Sequence, residues 1–223
     1  LFSFLKNTCP SHFIECKMYI KVLSCLIEYS EVSLIMTTRP APEREGFTWA
    51  KASRFLALPF SPSRLSTFML VKRFEDVPIE KLLTQGFEGI LIDADGTLAP
   101  HHAREFNLSV IDHVRAMLEN GLKVAIYTNA WEDRFQAFQE MGVKVVSNVP
   151  AKPDPRGFQI AMTDFLHLED PAKVCMIGDS YVTDGGAIDA GMQFIHVKPV
   201  KGNEPFFHSL SRLFAYLCAK MYG

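Results

Sequence analysis

The sequence predicts an α/β protein in which helices cover both faces of a doubly wound parallel sheet, a three-layer, Rossmann-like arrangement. From Gly86 onward, short apolar runs alternate with segments of helical periodicity. The runs are rich in β-branched residues and mostly lack polar alternation, which is typical of strands buried on both faces of a parallel sheet. Regular strand–helix alternation is the pattern of this fold class. The five predicted strands are Gly89–Ile92, Lys123–Tyr127, Val143–Val146, Val174–Ile177 and Gln193–Val197.

Helical patterns separate these predicted strands. Apolar residues recur at helical spacing from Leu108 to Leu118 and again from Phe135 to Met141, and a glycine follows each segment as a stop signal. A further helix opens with Asp154 as N-cap and Pro155 in the first helical position, and it is expected to run to about Leu166.

Composition excludes several classes of protein. The chain has 223 residues, 23 Lys and Arg against 25 Asp and Glu, and a formal net charge of −2. That balance argues against a dedicated nucleic-acid binder, so no nucleic-acid partner is expected. With 48% hydrophobic and 22% charged residues the chain is of the globular rather than the disordered type.

The five cysteines are odd in number and show no paired spacing, which favours a reducing, cytoplasmic compartment over a disulfide framework. The longest apolar stretch near the N-terminus, Phe13–Met36, is interrupted by charged residues, so no transmembrane helix is predicted.

Four segments are predicted along the chain. Residues 1–46 are expected to be a flexible extension, with Met36 as a candidate natural start; a fragment of a longer protein is the alternative. Residues 47–85 form a basic, amphipathic lead-in, 86–200 the catalytic core, and 201–223 an amphipathic C-terminal helix.

Polar side chains follow every predicted strand except the last. Ligands of open α/β sheets bind at the carboxyl ends of the strands, so these residues are the candidates for a site. They are Asp93 and Asp95 after the first strand, Thr128 and Asn129 after the second, Lys152 after the third, and Asp179 with Asp184 after the fourth.

The chemistry of this set points to phosphoryl transfer. Two carboxylates as close as Asp93 and Asp95 require a cation or a shared proton. A cluster of oxygen ligands without a His or Cys partner favours Mg²⁺ over zinc. His101 and His102 lie in the loop after the first strand and could approach the metal or substrate, although loop histidines usually face solvent. A carboxylate nucleophile, Mg²⁺, lysine and hydroxyl together form a phosphoryl-transfer site.

These segments resemble the motifs of the haloacid dehalogenase (HAD) superfamily. The segment Asp93-Ala94-Asp95-Gly96-Thr97-Leu98 resembles the first motif of the superfamily, and Thr128-Asn129 resembles the second. Lys152 resembles the third motif, and the segment from Gly178 to Asp184 resembles the fourth. Within the superfamily the chain looks closest to the HAD-IIIA branch of YqeG-type proteins and phosphatidylglycerophosphate phosphatases. It differs from that branch at Gly96 and Ala130, where Asn is common.

The resemblance implies a role for each matching residue. Asp93 would be the nucleophile that forms an aspartyl-phosphate, and Asp95 the general acid and base. Asp93, Asp179 and the backbone carbonyl of Asp95 would hold Mg²⁺, with Asp184 as an additional or outer carboxylate. Thr128 and the backbone N–H of Asn129 would bind phosphoryl oxygens, and Lys152 would neutralise the nucleophile and the transferring group.

The lengths of two intervals between motifs predict an open site. The stretches from Asp95 to Thr128 and from Asn129 to Lys152 each hold one predicted helix and one predicted strand, which leaves no room for a cap domain. Water would then be excluded by a large substrate, a membrane or a neighbouring subunit.

The expected function is therefore Mg²⁺-dependent hydrolysis of a large or lipid phosphomonoester such as phosphatidylglycerophosphate. A sugar phosphate, a nucleotide or a phosphoprotein is the alternative substrate, and a non-catalytic binding protein with the same fold is the alternative class. An oligomer, in which a neighbouring subunit covers the site, is compatible with this expectation.

The flanks carry the expectation about location. Basic residues alternate with aromatic ones between Glu45 and Glu75, and Phe206, Leu210, Leu213 and Leu217 form a helical stripe beside Arg212 and Lys220. Such segments suit peripheral contact with anionic lipid at the inner face of a membrane; ordinary packing on the sheet is the alternative.

Overall fold

Six parallel strands form one sheet in the computed structural model, which describes residues 48–129, 134–202 and 206–222, the side chains of 206–209 and 222 excepted. The predicted extension 1–46 and Ala130 lie outside the described residues. The strands are β1 (Met69–Val71), β2 (Gly89–Ile92), β3 (Lys123–Ile126), β4 (Lys144–Val145), β5 (Val174–Gly178) and β6 (Gln193–Val197). Their order across the sheet is β1-β6-β5-β2-β3-β4, and every neighbouring pair is parallel.

Helices precede, connect and follow the strands. Short 3-10 turns at Leu58–Phe60, Pro62–Leu65, Phe74–Asp76 and Pro171–Lys173 complete the connections, and a π-helical turn, Ala161–Leu166, extends the helix that begins at Pro155. The α-helices are α1 (Trp49–Ala57), α2 (Ile79–Thr84), α3 (Leu108–Glu119), α4 (Gln136–Gln139), α5 (Pro155–Ile160), α6 (Gly186–Asp189) and α7 (Phe206–Tyr222).

The predicted doubly wound parallel sheet is confirmed, and all five predicted strands are present within one or two residues. The predicted start of α5 is also confirmed, because the side chain of Asp154 accepts a hydrogen bond from the backbone N–H of Arg156. The strand β1 was not predicted. It is only three residues long and lies at the sheet edge with Leu70 exposed, so its sequence lacks the continuous burial that marks the central strands.

The central strand β2 positions the site. Every residue of β2 is buried, and Ile90 and Ile92 belong to a core cluster that includes Val110 and Val114 of α3. The hydrogen-bond ladder continues past the strand, since the backbone N–H of Asp93 donates to the carbonyl of Ile177 over 2.9 Å. This bond fixes the end of β2 beside the end of β5.

The flanking helices α1 and α7 pack on each other through Phe55 and Phe214, whose ring centroids lie 5.0 Å apart. Helix α7 buries Phe214, Ala215 and Cys218, whereas Leu213 of the predicted stripe is 53% exposed. The buried face of α7 is therefore not the stripe, which the alternative of packing on the sheet would have required. Among the described residues, no helix combines the length and hydropathy needed to cross a bilayer.

Between Asp95 and Thr128 the structure contains α3 and β3, as the spacing predicted. Between Asn129 and Lys152 the described residues form α4 and β4. No cap domain is present in either of these described stretches.

Candidate active site

A buried lysine joins two carboxylates at the centre of the site. The ammonium Nζ of Lys152 lies 2.6 Å from Oδ1 of Asp93 and 2.6 Å from Oδ1 of Asp184. Lys152 is 2% exposed and Asp184 fully buried. Burial by itself lowers the pKa of Lys152, but the attraction of Asp184 and Asp93 exceeds it and the pKa is raised. Lys152 is therefore charged at every physiological pH.

The loop that carries Lys152 is held by Asn129. The amide Nδ2 of Asn129 donates to the backbone carbonyl of Lys152 over 3.2 Å, and the backbone N–H of Lys152 donates to Oδ1 of Asn129 over 3.0 Å. Thr128, the preceding residue, is also buried and lies two residues beyond the end of β3. The two hydrogen bonds between Asn129 and Lys152 therefore hold the lysine loop at the edge of the sheet where β3 and β4 end.

Three carboxylates converge beside Lys152. Asp93, Asp179 and Asp184 are buried, and each offers an oxygen within 4.8 Å of the others. Asp184 is held in place because Oδ2 accepts the backbone N–H of Ser180 over 3.0 Å. A side chain on Gly178 would collide with Asp184, which explains the glycine at the end of β5.

Burial and mutual repulsion perturb these acids. Burial and the neighbouring Asp184 raise the pKa of Asp93 to about 7, although Lys152 opposes the shift. Burial likewise raises the pKa of Asp179 well above its usual range, and Arg212 opposes that shift. The cluster is thus short of positive charge, and hard oxygen donors of this number and spacing fit a divalent cation such as Mg²⁺.

Asp95 lies at the mouth of the same site with both oxygens engaged. Oδ1 accepts the backbone N–H of His102 over 2.9 Å, and Oδ2 lies 2.8 Å from Nη2 of Arg134. Arg134 is itself anchored, since Nη1 donates to the carbonyl of Ala103 over 3.0 Å and the guanidinium packs on the ring of Phe135. His101 and His102 do approach Asp95, but Arg134 already supplies the positive charge there.

Two arginines of the site were missed by the sequence analysis. Arg134 pairs with Asp95, and Nη1 of Arg212, on α7, pairs with Oδ2 of Asp179. Arg212 had been assigned to a basic surface of the C-terminal helix. Neither residue follows a predicted strand, so no strand-end signal pointed to them.

The sequence of the chain is similar to that of a known hydrolase family. The family model of the haloacid dehalogenase-like hydrolases matches residues 71–191, a range that contains all the predicted site residues from Asp93 to Asp184. The "Probable phosphatase YqeG" of Bacillus subtilis (strain 168) is 30% identical over 145 residues, which are 64% of this chain and 82% of the relative.

Solved structures are similar at lower identity. An uncharacterized protein from Listeria monocytogenes serotype 4b has 16% identity and a TM-score of 0.42, covering 60% of this chain and 99% of that one. The cobalt-bound deoxy-D-mannose-octulosonate 8-phosphate phosphatase (YrbI) from Haemophilus influenzae has 17% identity and a TM-score of 0.41, covering 63% and 92%.

Proposed function

The chain belongs to the haloacid dehalogenase-like hydrolases, and from that premise we propose that it is a phosphatase that hydrolyses phosphomonoesters with Mg²⁺ through an aspartyl-phosphate on Asp93. The observation that carries the proposal is the contact of Lys152 with Asp93 at the buried end of β2. A carboxylate held against a permanent cation, beside two further acids, is suited to attack a phosphoryl group that carries negative charge.

The metal would be held by oxygens of the acid cluster. In the described residues, Oδ2 of Asp93 and Oδ1 of Asp179 make no hydrogen bond or ion pair, so these atoms are available to it. Asp184 would stay outside the metal's ligands because Lys152 and Ser180 occupy its oxygens. A bound divalent cation would neutralise charge on the transferring phosphoryl group.

In the first step, an oxygen of Asp93 attacks phosphorus as the bond to the ester oxygen breaks. Asp95 gives its proton to that leaving oxygen. In the second step water attacks the phosphoryl-aspartate, Asp95 accepts the water proton, and phosphate leaves with Asp93 restored. Thr128, Lys152 and the backbone N–H of Asn129 are proposed to bind the phosphoryl oxygens.

A lipid or other large amphiphilic phosphate is the proposed substrate. A groove of about 620 Å³ opens beside Asp179 and combines apolar and basic walls. This lining suits a substrate with an apolar part near its anionic group. The apolar lining includes Leu70, Pro199, Leu213 and Tyr216, and the basic lining Lys72, Lys198 and Lys201.

The test is hydrolysis of an aryl phosphate by the full chain with and without Mg²⁺. Activity should require the metal, disappear with EDTA, and be lost in Asp93→Asn. Asp112→Asn, on the exposed side of α3, is the matched control and should keep wild-type turnover. Undiminished activity in Asp93→Asn would refute the mechanism, whereas inactive wild type on all phosphomonoesters would favour the non-catalytic alternative. A panel of phosphatidylglycerophosphate in micelles against soluble phosphomonoesters then tests the substrate class.

A further inference from the structure

Arg212 brings a second buried cation to the acid cluster. Its guanidinium pairs with Oδ2 of Asp179, and the side chains are 9% and 3% exposed. Arg212 belongs to α7 and lies outside the residues 71–191 that the family model matches. The site is therefore completed by a helix that follows the shared motifs.

The surroundings of Arg212 show that this contact is built into the fold. A Cβ on Gly96 would lie 3.0 Å from Nη1 of Arg212 and would collide with Asp179, so the turn after β2 closes directly over the ion pair. Helix α7 is fixed from the other side by the packing of Phe214 on Phe55. The guanidinium thus contacts Asp179 of the acid cluster, and both residues line the groove.

The formal charges of the site depend on this residue. Three carboxylates face two cations, Lys152 and Arg212, which leaves one net negative charge. A divalent cation would turn that into one net positive charge, to which a phosphate dianion is attracted. Without Arg212 the metal would meet two negative charges, and the phosphate would then meet a neutral site.

We propose that Arg212 is the charge-balancing residue of the active centre. The positive charge of Arg212 weakens binding of the divalent cation and, once that cation is present, strengthens binding of the phosphate anion. The proposal rests on the proposed function, because it presumes that Asp93 and Asp179 hold the metal. A purely structural arginine would have a different effect: its loss would loosen Asp179 and weaken both ligands together.

Titration calorimetry on the full chain separates these possibilities. Binding of Mg²⁺, and of inorganic phosphate at saturating Mg²⁺, is measured near pH 8.5, where protons compete least for the acids. In Arg212→Met we expect Mg²⁺ to bind about tenfold more tightly and phosphate about tenfold more weakly, the scale of one unit charge at a partly screened distance of several ångströms. Arg212→Gln, which keeps an N–H donor for Asp179, should change both constants in the same directions if Arg212→Met does not fold.

Arg212→Lys keeps the charge and should return both constants toward wild type. Lys220→Met removes one charge from an exposed position of the same helix and should change neither. Equal weakening of both ligands, or no change in either, would overturn the role of Arg212 while leaving the phosphatase proposal intact. Wild type that binds neither Mg²⁺ nor phosphate would overturn both.

Discussion

Gly96 lies so close to Asp179 that any side chain at position 96 would overlap the carboxylate. Gly96 also has a φ of +82°, a conformation that L residues rarely adopt. The turn after β2 therefore requires glycine for two reasons: the positive φ of its backbone and the space that Asp179 and Arg212 occupy.

Gly96→Ala should consequently damage both stability and metal binding. We expect a loss of roughly 1–3 kcal/mol from backbone strain, further destabilisation from the overlap, and clearly weaker Mg²⁺ binding because Asp179 must move. Gly86→Ala is the matched control, since Gly86 has the same φ but no atom within 4 Å of the added Cβ. Chemical unfolding and metal titration of both variants measure the difference. Equal losses in the two variants would show that overlap with Asp179 has no effect.

Asp95→Asn should separate the two chemical steps. An aryl phosphate has a good leaving group that needs little protonation, so attack by Asp93 should proceed. The aspartyl-phosphate should then hydrolyse slowly and accumulate, which mass spectrometry or acid-quenched radiolabel detects. Asn keeps the acceptor oxygen for the backbone N–H of His102, which limits structural damage. Wild-type turnover without accumulated phosphoenzyme would exclude Asp95 as the acid and base.

The raised pKa of Asp93 predicts a pH-dependent stability in the metal-free protein. Its pKa is about 7 in the fold against 3.8 ordinarily, so the protonated carboxyl stabilises the fold at low pH and this contribution is lost as the pH rises to about 7. Relative to Asp93→Asn, the free energy of unfolding of wild type should fall by about 1.4 kcal/mol per pH unit between roughly pH 5 and 7 and then level off. Urea unfolding across this range measures it.

Saturating Mg²⁺ should reverse that trend, because the metal binds the ionised carboxylate and stabilises the fold more as protons leave. A wild-type curve parallel to that of Asp93→Asn at every pH, with or without metal, would contradict the raised pKa.

Contact with anionic membranes should depend on the lysines at the groove rather than on the whole basic flank. Arg54, assigned to the flank in the sequence, is 4% exposed and donates to the carbonyl of Tyr181 over 3.0 Å. Arg54→Glu should therefore unfold the protein and is no test of lipid binding. Lys72 and Lys198 are exposed at the groove edge, so their joint change to Glu should weaken cosedimentation with anionic vesicles several-fold at low salt.

Lys123→Glu is the control for that experiment, because Lys123 is the first residue of β3 and the site lies at the other end of the strands. It should leave vesicle binding unchanged. Binding that is equal for neutral and anionic vesicles, or absent from both, would contradict membrane contact and favour the alternative that the flanks only pack on the fold.

The sequence was sufficient to predict the sheet and most of the candidate site because both depend on local signals. Buried parallel strands require continuous apolar runs, as in Gly89–Ile92, and the residue after each run must lie at the carboxyl edge of the sheet. Asp93, Thr128, Lys152 and Asp179 could therefore be placed at one edge before any packing was known. The helix at Asp154 was equally local, since an N-cap and a following proline act within one turn.

Tertiary structure alone decided which charges meet. Three arginines look like ordinary basic residues in the sequence: Arg54, Arg134 and Arg212. In the structure, each contacts a carboxylate or carbonyl of a residue that is distant in the sequence. The edge strand β1 likewise depends on pairing with β6 and carries too little burial pattern of its own. An ion pair or an edge strand exists only once distant segments have packed. Its energy comes from the shared burial of both partners, which neither segment encodes by itself.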